Sequence, residues 1–508
     1  MPVARAWSAA LVGLEARPVV VEAALGNGLP GLTIVGLPDA AVRESRERIR
    51  AALRQIGLPL PGRNVLVNLA PADLPKSGTG FDLAVALAIL AANGDLPVDG
   101  LHGLAFAGEL GLDGEVRGVP GILSIAEAAR ADGRPRIVVA PQNAAAAAAV
   151  PGVAVLAAAH LGAVVAHVAG KELLPPWSGT APTAVPGEEP ADLADVRGQE
   201  LARRALEIAA AGGHNILLVG PPGSGKTMLA RRLPGVLPPL APEEALETTR
   251  IWSAAGRLPD GCGLLSVRPF RAPHHGASAA ALSGGGSDPR PGELSLAHHG
   301  VLFLDEFPEF RRDALETLRE PLEEGIVRVT RASGSRSFPA RFVLAAAMNP
   351  CPCGYLGDAR RACACSPGDV ARYRRKVSGP LLDRIDLHVE VPALASRDLG
   401  EGPGPEPSAA VRARVVEARA RQQLRTGDAR LTNAALSPAR LRATSALRQD
   451  GTALLARAMD RLGLSARAHQ RVVRVARTIA DLEGSPSTGP AHVAEALRFR
   501  PAALRDRP

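Results

Sequence analysis

Short apolar runs alternate with stretches of helical apolar spacing through the first third of the chain. A short apolar run predicts a buried strand, whereas apolar residues three and four positions apart predict a helix. The segment 41–56 has the helical spacing, and the Ala-rich tract 143–150 predicts a plain surface helix. We therefore predict an α+β or α/β domain over residues 1–172. Its predicted strands are 18–24, 32–35, 64–68, 104–107 and 136–139.

The periodic pattern is lost between residues 173 and 190, where prolines are frequent, and this segment predicts a linker. Beyond it, three apolar runs that end at Val219, Asp305 and Asn349 alternate with helical stretches. Such alternation is typical of a doubly wound α/β core. We predict this core over residues 191–395.

Helical spacing dominates residues 396–508, which predict a C-terminal helical domain. In 412–425 and 464–480 arginines lie opposite the apolar face, and 431–454 predicts shorter helices. From residue 371 to the end there are 25 Lys and Arg against 14 Asp and Glu, a net charge of +11 in a chain of net charge +8. This excess indicates either a surface that binds an anionic polymer or a solvated arginine-rich helical surface, and the charge alone does not favour one over the other.

Length and composition set the broad class of the protein. A chain of 508 residues is expected to fold as about three domains. It has neither a run of eighteen uncharged apolar residues nor the apolar segment of a signal peptide at its start. We expect a cytoplasmic protein without a membrane partner.

The apolar run 215–219 leads into a glycine-rich segment with the phosphate-binding pattern G-x-x-x-x-G-K-[ST]. In this pattern backbone N–H groups face the phosphates, the lysine reaches the β- and γ-phosphates, and the hydroxyl ligates Mg²⁺. The alternative is a glycine-rich turn that only joins a strand to a helix. We predict that ATP and Mg²⁺ bind at Gly220, Pro221, Pro222, Gly223, Ser224, Gly225, Lys226 and Thr227.

A second apolar run, 301–304, ends in two carboxylates, Asp305 and Glu306. Hydrolysis of ATP requires one group to hold the magnesium shell and another to polarise the attacking water. We predict the first role for Asp305, opposite Thr227, and the second for Glu306.

A third predicted strand, 345–349, carries a polar residue at its end. Asn349 is expected to contact the γ-phosphate or the attacking water. The alternative is that Asn349 caps a turn before Pro350. Two histidine pairs, 274–275 and 298–299, are expected to form hydrogen bonds near nucleotide or DNA.

Four further segments have distinctive sequences, namely DVRGQ, RPFRAPHH, PGELSLAHHG and GPLLDRID. They occupy positions 195–199, 268–275, 291–300 and 379–386. Together with the phosphate loop, these segments resemble the AAA+ ATPases. Within that group they resemble the magnesium-chelatase-like branch that contains the ComM/YifB family, and the resemblance covers nearly the whole chain. The resemblance implies a P-loop core, a C-terminal helical lid over 396–508, and self-association into a ring, usually a hexamer.

The same resemblance assigns roles to two arginines. It implies that Arg384 is an arginine finger inserted into a neighbour's ATP site and that Arg467 is the sensor-2 arginine of the helical lid. A cation that arrives from a neighbour neutralises charge in the transition state of phosphoryl transfer. The alternative for either residue, in so Arg-rich a chain, is a surface salt bridge.

Two insertions are predicted in the core. The stretch 250–286 looks like the helix-2 insertion of this AAA+ branch. The segments 326–331 and 336–341 flank a short polar stretch and predict a β-hairpin. In related ATPases such hairpins line the pore of the ring and bind nucleic acid, which makes Arg328, Arg331 and Arg336 candidate DNA-binding residues. The alternative is a hairpin that packs on a neighbouring subunit.

Four of the five cysteines lie within fifteen positions, as Cys351, Cys353, Cys363 and Cys365. Pairs at this separation fit no disulfide framework in a reducing cytoplasm, and inert buried thiols would be unexpected among Gly, Asp and Arg. Four thiolates suit a structural Zn²⁺. We predict a zinc site there and an inert Cys262.

The N-terminal domain looks like the Lon-protease-type fold through its segment 68–86. In active proteases of that kind a nucleophilic serine stands four residues after the equivalent of Lys76, where this chain has Gly80. This chain therefore lacks the nucleophilic side chain that peptide hydrolysis requires. The resemblance therefore implies a non-catalytic platform that binds DNA or stabilises the ring.

Together these features predict a ring-forming ATPase that moves along DNA, similar to the branch-migration helicases that act in recombination or natural transformation. Two alternatives stay open. One is a magnesium-chelatase-type motor subunit, and the other is an ATP-dependent protease, which Gly80 disfavours.

Overall fold

The computed structural model describes residues 3–179, 191–286, 289–331, 334–358, 360–394, 404–445 and 447–500. These residues form two mixed α/β units followed by a group of helices. The predicted α/β class is confirmed. The boundary predicted at 395/396 and most of the linker predicted over 173–190 lie outside the described residues, so the domain limits stay a prediction.

The N-terminal unit is built on a seven-stranded sheet. Its strands are β1 (Ala4–Val12), β2 (Glu15–Gly26), β3 (Gly31–Val35), β4 (Asn64–Ala70), β5 (Leu104–Ala107), β8 (Arg136–Val139) and β9 (Ala154–Ala157), in the order β3-β4-β2-β1-β5-β8-β9, and a small pair is formed by β6 (Glu109–Leu110) and β7 (Val116–Arg117). Its helices are α1 (Ala40–Gln55), α2 (Asp82–Asn93), α3 (Ile122–Ala131), α4 (Pro141–Ala148) and α5 (Leu161–Val168).

Both faces of this sheet are covered, because two separate apolar clusters lie on its two sides. Helix α2 is apolar around its whole circumference and is almost completely buried, as such a composition requires. The Ala-rich helix α4 buries Ala144 to Ala147, so the predicted surface helix is wrong. Its small side chains let the helix backbone lie close to the sheet.

The central unit contains a five-stranded parallel sheet with the first strand in its interior, as expected for a doubly wound core. The strand order is β11-β14-β17-β10-β18, with β10 (Ile216–Val219), β11 (Phe270–Arg271), β14 (Val301–Leu304), β17 (Val343–Met348) and β18 (Leu387–Glu390). The strand end predicted at Val219 is confirmed, and those predicted at Asp305 and Asn349 lie one residue beyond the observed ends at Leu304 and Met348. Strand β11 lies within the predicted insertion 250–286, so part of that segment belongs to the core sheet.

The remaining elements of the central unit surround this sheet. The helices are α6 (Glu200–Gly212), α7 (Lys226–Val236), α8 (Pro242–Ala254), α9 (Ala279–Ser283), α10 (Glu293–Leu296), α11 (Arg312–Glu316), α12 (Arg319–Glu324), α13 (Pro367–Arg374) and α14 (Gly379–Leu382). Two antiparallel pairs are formed by β12 (Gly284–Gly285) with β13 (Arg290–Pro291) and by β15 (Ile326–Arg331) with β16 (Gly334–Pro339). The second pair confirms the predicted hairpin.

The C-terminal helices share a core with the central unit. They are α15 (Ser408–Thr426), α16 (Pro438–Thr444), α17 (Gln449–Leu462), α18 (Ala466–Leu482) and α19 (Pro490–Arg498). Val415 and Ile479 belong to the same buried cluster as Leu206 and Leu229 of α6 and α7. The predicted helices are confirmed, whereas the role of this group as a lid stays a prediction, as does the Lon-like character of the N-terminal unit.

The N-terminal unit is packed on the central unit through α3 and α8. Arg250 of α8 forms an ion pair of 2.7 Å with Glu127 of α3, and the N–H of Gly121 donates to the carbonyl of Ser253 at 2.9 Å. The start of the predicted linker is not free, because the N–H of Trp177 donates to Val155 of β9. Across the described residues, no helix has the length and apolar character needed to cross a membrane.

Candidate nucleotide site

The predicted phosphate loop connects β10 to α7. Gly225, the last residue before the helix, has φ +91°, a left-handed conformation that glycine adopts without strain. Helix α7 then begins at Lys226, so its amino-terminal N–H groups face the loop. A loop of this shape at a helix N-terminus provides an anion-binding site for phosphates.

Lys226 lies folded into the loop. Its ammonium group donates to the carbonyl oxygens of Gly220 (2.7 Å) and Pro221 (2.8 Å) and to Oδ1 of Asn349 (3.2 Å). Burial lowers the pKa of Lys226, and the nearby Asp305 opposes that effect. The lysine therefore sits among the groups predicted to surround the phosphates, and it links the loop to the end of β17.

The magnesium ligands predicted from the sequence also lie together. The Thr227 hydroxyl donates to Oδ2 of Asp305 at 2.6 Å, and Asp305 Oδ1 accepts from the N–H of Glu306 at 2.9 Å. A hydroxyl and a carboxylate are oxygen ligands of the kind that Mg²⁺ prefers. These residues fit the ion, although their roles stay predictions.

One member of the histidine pair 274–275, which the sequence predicted to lie near nucleotide or DNA, lies beside the predicted water-activating carboxylate. His275 Nδ1 is 2.9 Å from Glu306 Oε2. The RPFRAPHH segment contains this histidine. The histidine reaches Glu306 because β11, which precedes it, joins the core sheet beside β14.

The other histidine pair lies elsewhere. His298 and His299 precede β14 at its amino end and both contact Glu247 of α8, at 3.3 Å and 2.8 Å. The N–H of Arg341 donates to His298 Nδ1, which leaves the proton of the neutral ring on Nε2, toward Glu247. Burial lowers the pKa of His298 to about 4. A protonated Nε2 cannot ligate a metal, so this group is a hydrogen-bonded network that fixes α8 to the sheet.

Arg384 and Arg467 lie away from the phosphate loop of their own chain. Both line a cavity of about 970 Å³ whose wall includes Asn215, the residue before β10. The phosphate loop begins at Gly220, beyond the other end of β10. At a strand rise of about 3.3 Å per residue, Gly220 lies roughly 16 Å from Asn215. Arg384 forms an ion pair with Glu323 and donates to the carbonyl of Pro380.

The predicted DNA-binding arginines do not share one face of their hairpin. Arg328 lies on the exposed face and pairs with Glu320 and Glu324. Arg336 is paired with the buried Val329 across the strands, and Gly13 of the N-terminal unit lies beside it. Residues 332 and 333 and the side chain of Arg331 lie outside the described residues. The DNA contacts of this hairpin stay a prediction.

The four clustered cysteines converge. Cys351 Sγ lies 3.4 Å from that of Cys353 and 3.6 Å from that of Cys363, and all four sulfurs lie within 4.8 Å of one another. Sulfurs that share a tetrahedral Zn²⁺ at about 2.3 Å lie roughly 3.8 Å apart. The donor set and its spacing therefore fit one zinc ion. The loop also reaches the phosphate loop, because Gly354 lies against Pro222.

In the N-terminal unit, Lys76 is completely buried, and burial lowers its pKa. Its ammonium group donates to the carbonyl of Pro71. Gly80, where the predicted fold would need its nucleophile, has no side chain. The non-catalytic role of this unit stays a prediction.

Three family models match the chain in succession. They are described as subunit ChlI of magnesium chelatase (192–399), subunit ChlI of Mg-chelatase (21–143) and the ChlI C-terminal region (405–500). The 67 kDa magnesium-chelatase subunit of Chlorobaculum parvum is 30% identical over 162 residues, which are 31% of this chain and 23% of that protein.

Two relatives match over nearly their full lengths. The competence protein ComM of Haemophilus influenzae is 44% identical over 505 residues, 98% of each chain. The YifB protein of Escherichia coli K12 is 46% identical over 497 residues, 97% of this chain and 96% of that protein. This chain belongs to the magnesium-chelatase-like ComM/YifB family.

Proposed function

We propose that this protein is an ATP-hydrolysing AAA+ ring motor that acts on DNA in the cytoplasm. The observation that carries the proposal is the convergence of Lys226, Thr227, Asp305 and Asn349 at the carboxyl edge of the parallel sheet. This edge is where ligands bind in open α/β sheets. The magnesium-chelatase-like family membership supports ATPase activity.

In this proposal each residue of the site has a separate role in ATP hydrolysis. Lys226 and the loop amides hold the phosphates, and Asn349 orients the γ-phosphate or the water. Thr227 and Asp305 would hold Mg²⁺, which when bound neutralises phosphate charge. Glu306 accepts a proton from the attacking water.

The position of Arg384 and Arg467 supports action between subunits. Because both line the cavity at the opposite edge of the sheet, neither is suited to the nucleotide of its own chain. In a ring, usually a hexamer, that edge would face the phosphate site of the next subunit. Both arginines would then neutralise transition-state charge in trans.

DNA is the proposed polymer, and branch migration in recombination or natural transformation is the proposed process. A relative that matches 98% of the chain is named a competence protein, and competence is the ability of cells to take up DNA. The basic C-terminal quarter and the hairpin residues Arg328, Arg331 and Arg336 are the candidate contacts. Arg328 already pairs with two carboxylates, Glu320 and Glu324, so a phosphate would have to compete with these ion pairs.

We also propose that Cys351, Cys353, Cys363 and Cys365 hold one structural Zn²⁺. The spacing of their sulfurs supports this, and four free thiols this close to one another suit a reducing cytoplasm.

A second candidate function is a magnesium-chelatase-type motor subunit that remodels a partner enzyme. The family models carry that description. The chelatase relative covers only 31% of the chain, however, whereas the ComM protein covers 98%. A protease is disfavoured by Gly80.

ATPase assays with and without single-stranded or branched DNA separate these functions. We expect DNA to stimulate hydrolysis, and we expect Lys226→Ala to lower both the basal and the stimulated rates by weakening ATP binding. In direct DNA-binding measurements, Arg331→Ala with Arg336→Ala should reduce the slope of log affinity against log salt by roughly one unit per lost phosphate contact. Robust ATPase activity that no DNA alters, together with no DNA binding, would favour the chelatase-type function.

A further inference from the structure

We propose that His214 and Thr478 form a buried link that holds the loop of Arg384 in a fixed position relative to helix α18. The proposal rests on the function proposed above, in which Arg384 and Arg467 act on the nucleotide of a neighbouring subunit. Arg467 lies on α18, whereas Arg384 lies in the loop 383–386 before β18. The link sets the spacing between the two arginines, so His214 and Thr478 are positioning residues.

His214 is completely buried between the loop and the helix. Its Nδ1 lies 2.8 Å from Oδ2 of Asp386, two residues after Arg384, and its Nε2 lies 2.8 Å from the hydroxyl of Thr478 in α18. Because an ionised carboxylate can only accept, Nδ1 carries the hydrogen of the first bond. Each ring nitrogen thus holds one of the two elements.

The packing around the ring leaves this link little freedom. Gly212 carries no side chain, and a Cβ at that position would lie 2.2 Å from Nε2 of His214 and 2.6 Å from Oγ1 of Thr478. Asn433 donates to the same hydroxyl at 3.0 Å, and this hydroxyl lies 3.0 Å from the carbonyl oxygen of Arg474. Since the hydroxyl is held from three sides, a movement of α18 is passed on to the His214 ring.

The residue next to His214 fixes the backbone of the same loop. Asn215 Nδ2 donates to the carbonyl of Arg384 at 3.0 Å, and the carbonyl of Asn215 accepts from the N–H of Asp386 at 3.1 Å. The loop also contacts α18 at a second point, through the ion pair of Arg471 with Asp383 at 3.3 Å. Two points of attachment fix the orientation of the helix as well as its distance, so the loss of one leaves the orientation less restricted.

The linked elements stand beside the proposed site for the neighbour's nucleotide. Arg384, Arg467 and Arg471 all line the cavity of about 970 Å³ described above, whereas the phosphate loop of the same chain lies at the other edge of the sheet. A misplacement of about 1 Å can lower the rate of a positioned reaction about a hundredfold. We therefore expect the link to affect kcat and to leave ATP binding unchanged.

The test is placed at Thr478, because removal of the His214 ring would leave the buried Asp386 carboxylate without its hydrogen bond and would destabilise the fold. Thr478→Val keeps the size of the side chain and removes the hydroxyl, whereas Thr478→Ser keeps the hydroxyl. Gln422→Ala is the matched control. It removes a buried hydrogen bond of 3.0 Å from α15 to the carbonyl of Ala211 in α6 and leaves the link intact.

We expect Thr478→Val in the full-length protein to lower the kcat of ATP hydrolysis roughly ten- to hundredfold, with unchanged affinity for a fluorescent ATP analogue. Thr478→Ser should stay within about threefold of the native kcat. Gln422→Ala should unfold at a lower temperature, as Thr478→Val does, and should yet keep a kcat near the native value. The proposal is overturned if Thr478→Val keeps the native kcat, if Ser is no better than Val, or if Gln422→Ala is equally impaired.

Mixed rings show which side of the subunit boundary the link serves. A subunit with Thr478→Val keeps its own Lys226 and Glu306. A neighbour with Glu306→Gln carries a native link and a native Arg384, so this mixture should regain activity. A mixture with Arg384→Ala should regain none, because both variants are then impaired in the group offered across the boundary. If activity does return with Arg384→Ala, the change has damaged the variant's own phosphate site, and the proposal is wrong.

The mixture of Arg384→Ala with Glu306→Gln, measured beside these, separates the two levels of the proposal. If this mixture gains activity and the mixture of Thr478→Val with Glu306→Gln does not, only the link fails. If it gains none although subunits exchange, the proposed action of Arg384 across the boundary fails, and the role of the link with it.

Discussion

At the residue scale, the proposed ATP site separates binding from hydrolysis. Lys226 donates to carbonyl groups of the phosphate loop, whereas an oxygen of the Glu306 side chain lies 2.9 Å from His275 Nδ1. We expect Glu306→Gln to leave ATP affinity unchanged and to lower kcat at least about a hundredfold, because an amide does not accept the proton of water. Lys226→Ala should instead weaken ATP binding about ten- to hundredfold, through the loss of charge-assisted hydrogen bonds.

Fluorescent-nucleotide titration and steady-state hydrolysis measure these two effects separately. The roles would be assigned wrongly if Glu306→Gln lost ATP binding, or if Lys226→Ala retained native affinity and lost only kcat.

The residues that could be predicted from the sequence share one property: each belongs to a local pattern. The phosphate loop is continuous in sequence, and Asp305 and Glu306 end an apolar strand. The sequence placed the pair 274–275 near nucleotide or DNA, but it could not predict the contact of His275 with Glu306, because that contact depends on the pairing of β11 with β14. The sequence predicted the hairpin but only an approximate register for its strands. Arg328 and Arg336 lie on opposite faces because of the register that the structure shows.

At the element scale, the cysteine-containing loop joins two parts of the ATP site. It begins immediately after Asn349, and Gly354 approaches Pro222 of the phosphate loop so closely that a Cβ at this position would lie 2.6 Å from Pro222 Cδ. A bound zinc ion would therefore stabilise the phosphate loop as well as its own loop.

We expect the purified protein to carry about one zinc ion per chain by elemental analysis. The double variant Cys363→Ser and Cys365→Ser should lose the ion, unfold at a lower temperature and bind ATP more weakly. Cys262→Ser, which changes a buried cysteine outside the cluster, is the matched control and should retain the zinc. A native protein that is free of metal yet fully active would contradict the site.

Elements were predicted well where the hydrophobic period was clear. Helices α15 and α18 and strands β10 and β14 follow their patterns. The Ala-rich helix α4 was placed at the surface because alanine carries little hydrophobic signal, although four of its alanines are buried. Burial of such a helix is decided by the neighbouring sheet, which a local pattern does not contain.

At the scale of the whole molecule, the proposed action of Arg384 across a subunit boundary predicts that an active site needs two subunits. Arg384→Ala alone and Glu306→Gln alone should both be inactive. In a mixture, a subunit with Arg384→Ala still has an intact Lys226 and Glu306, and a neighbour with Glu306→Gln still supplies Arg384. About a quarter of the interfaces in randomly mixed rings would then be complete, so part of the ATPase activity should return.

The matched control is a mixture of Glu306→Gln with Lys226→Ala. A subunit supplies both Lys226 and Glu306 to its own phosphate site, so each variant subunit has a defective site whichever neighbour it has. Subunit exchange therefore cannot assemble an intact site, and no activity should return. Subunit exchange in both mixtures is verified by energy transfer between labelled chains. Recovery in the first mixture alone establishes that Arg384 acts across the subunit boundary. If exchange occurs and neither mixture recovers, or both recover, Arg384 does not act in trans, and its ion pair with Glu323 is structural.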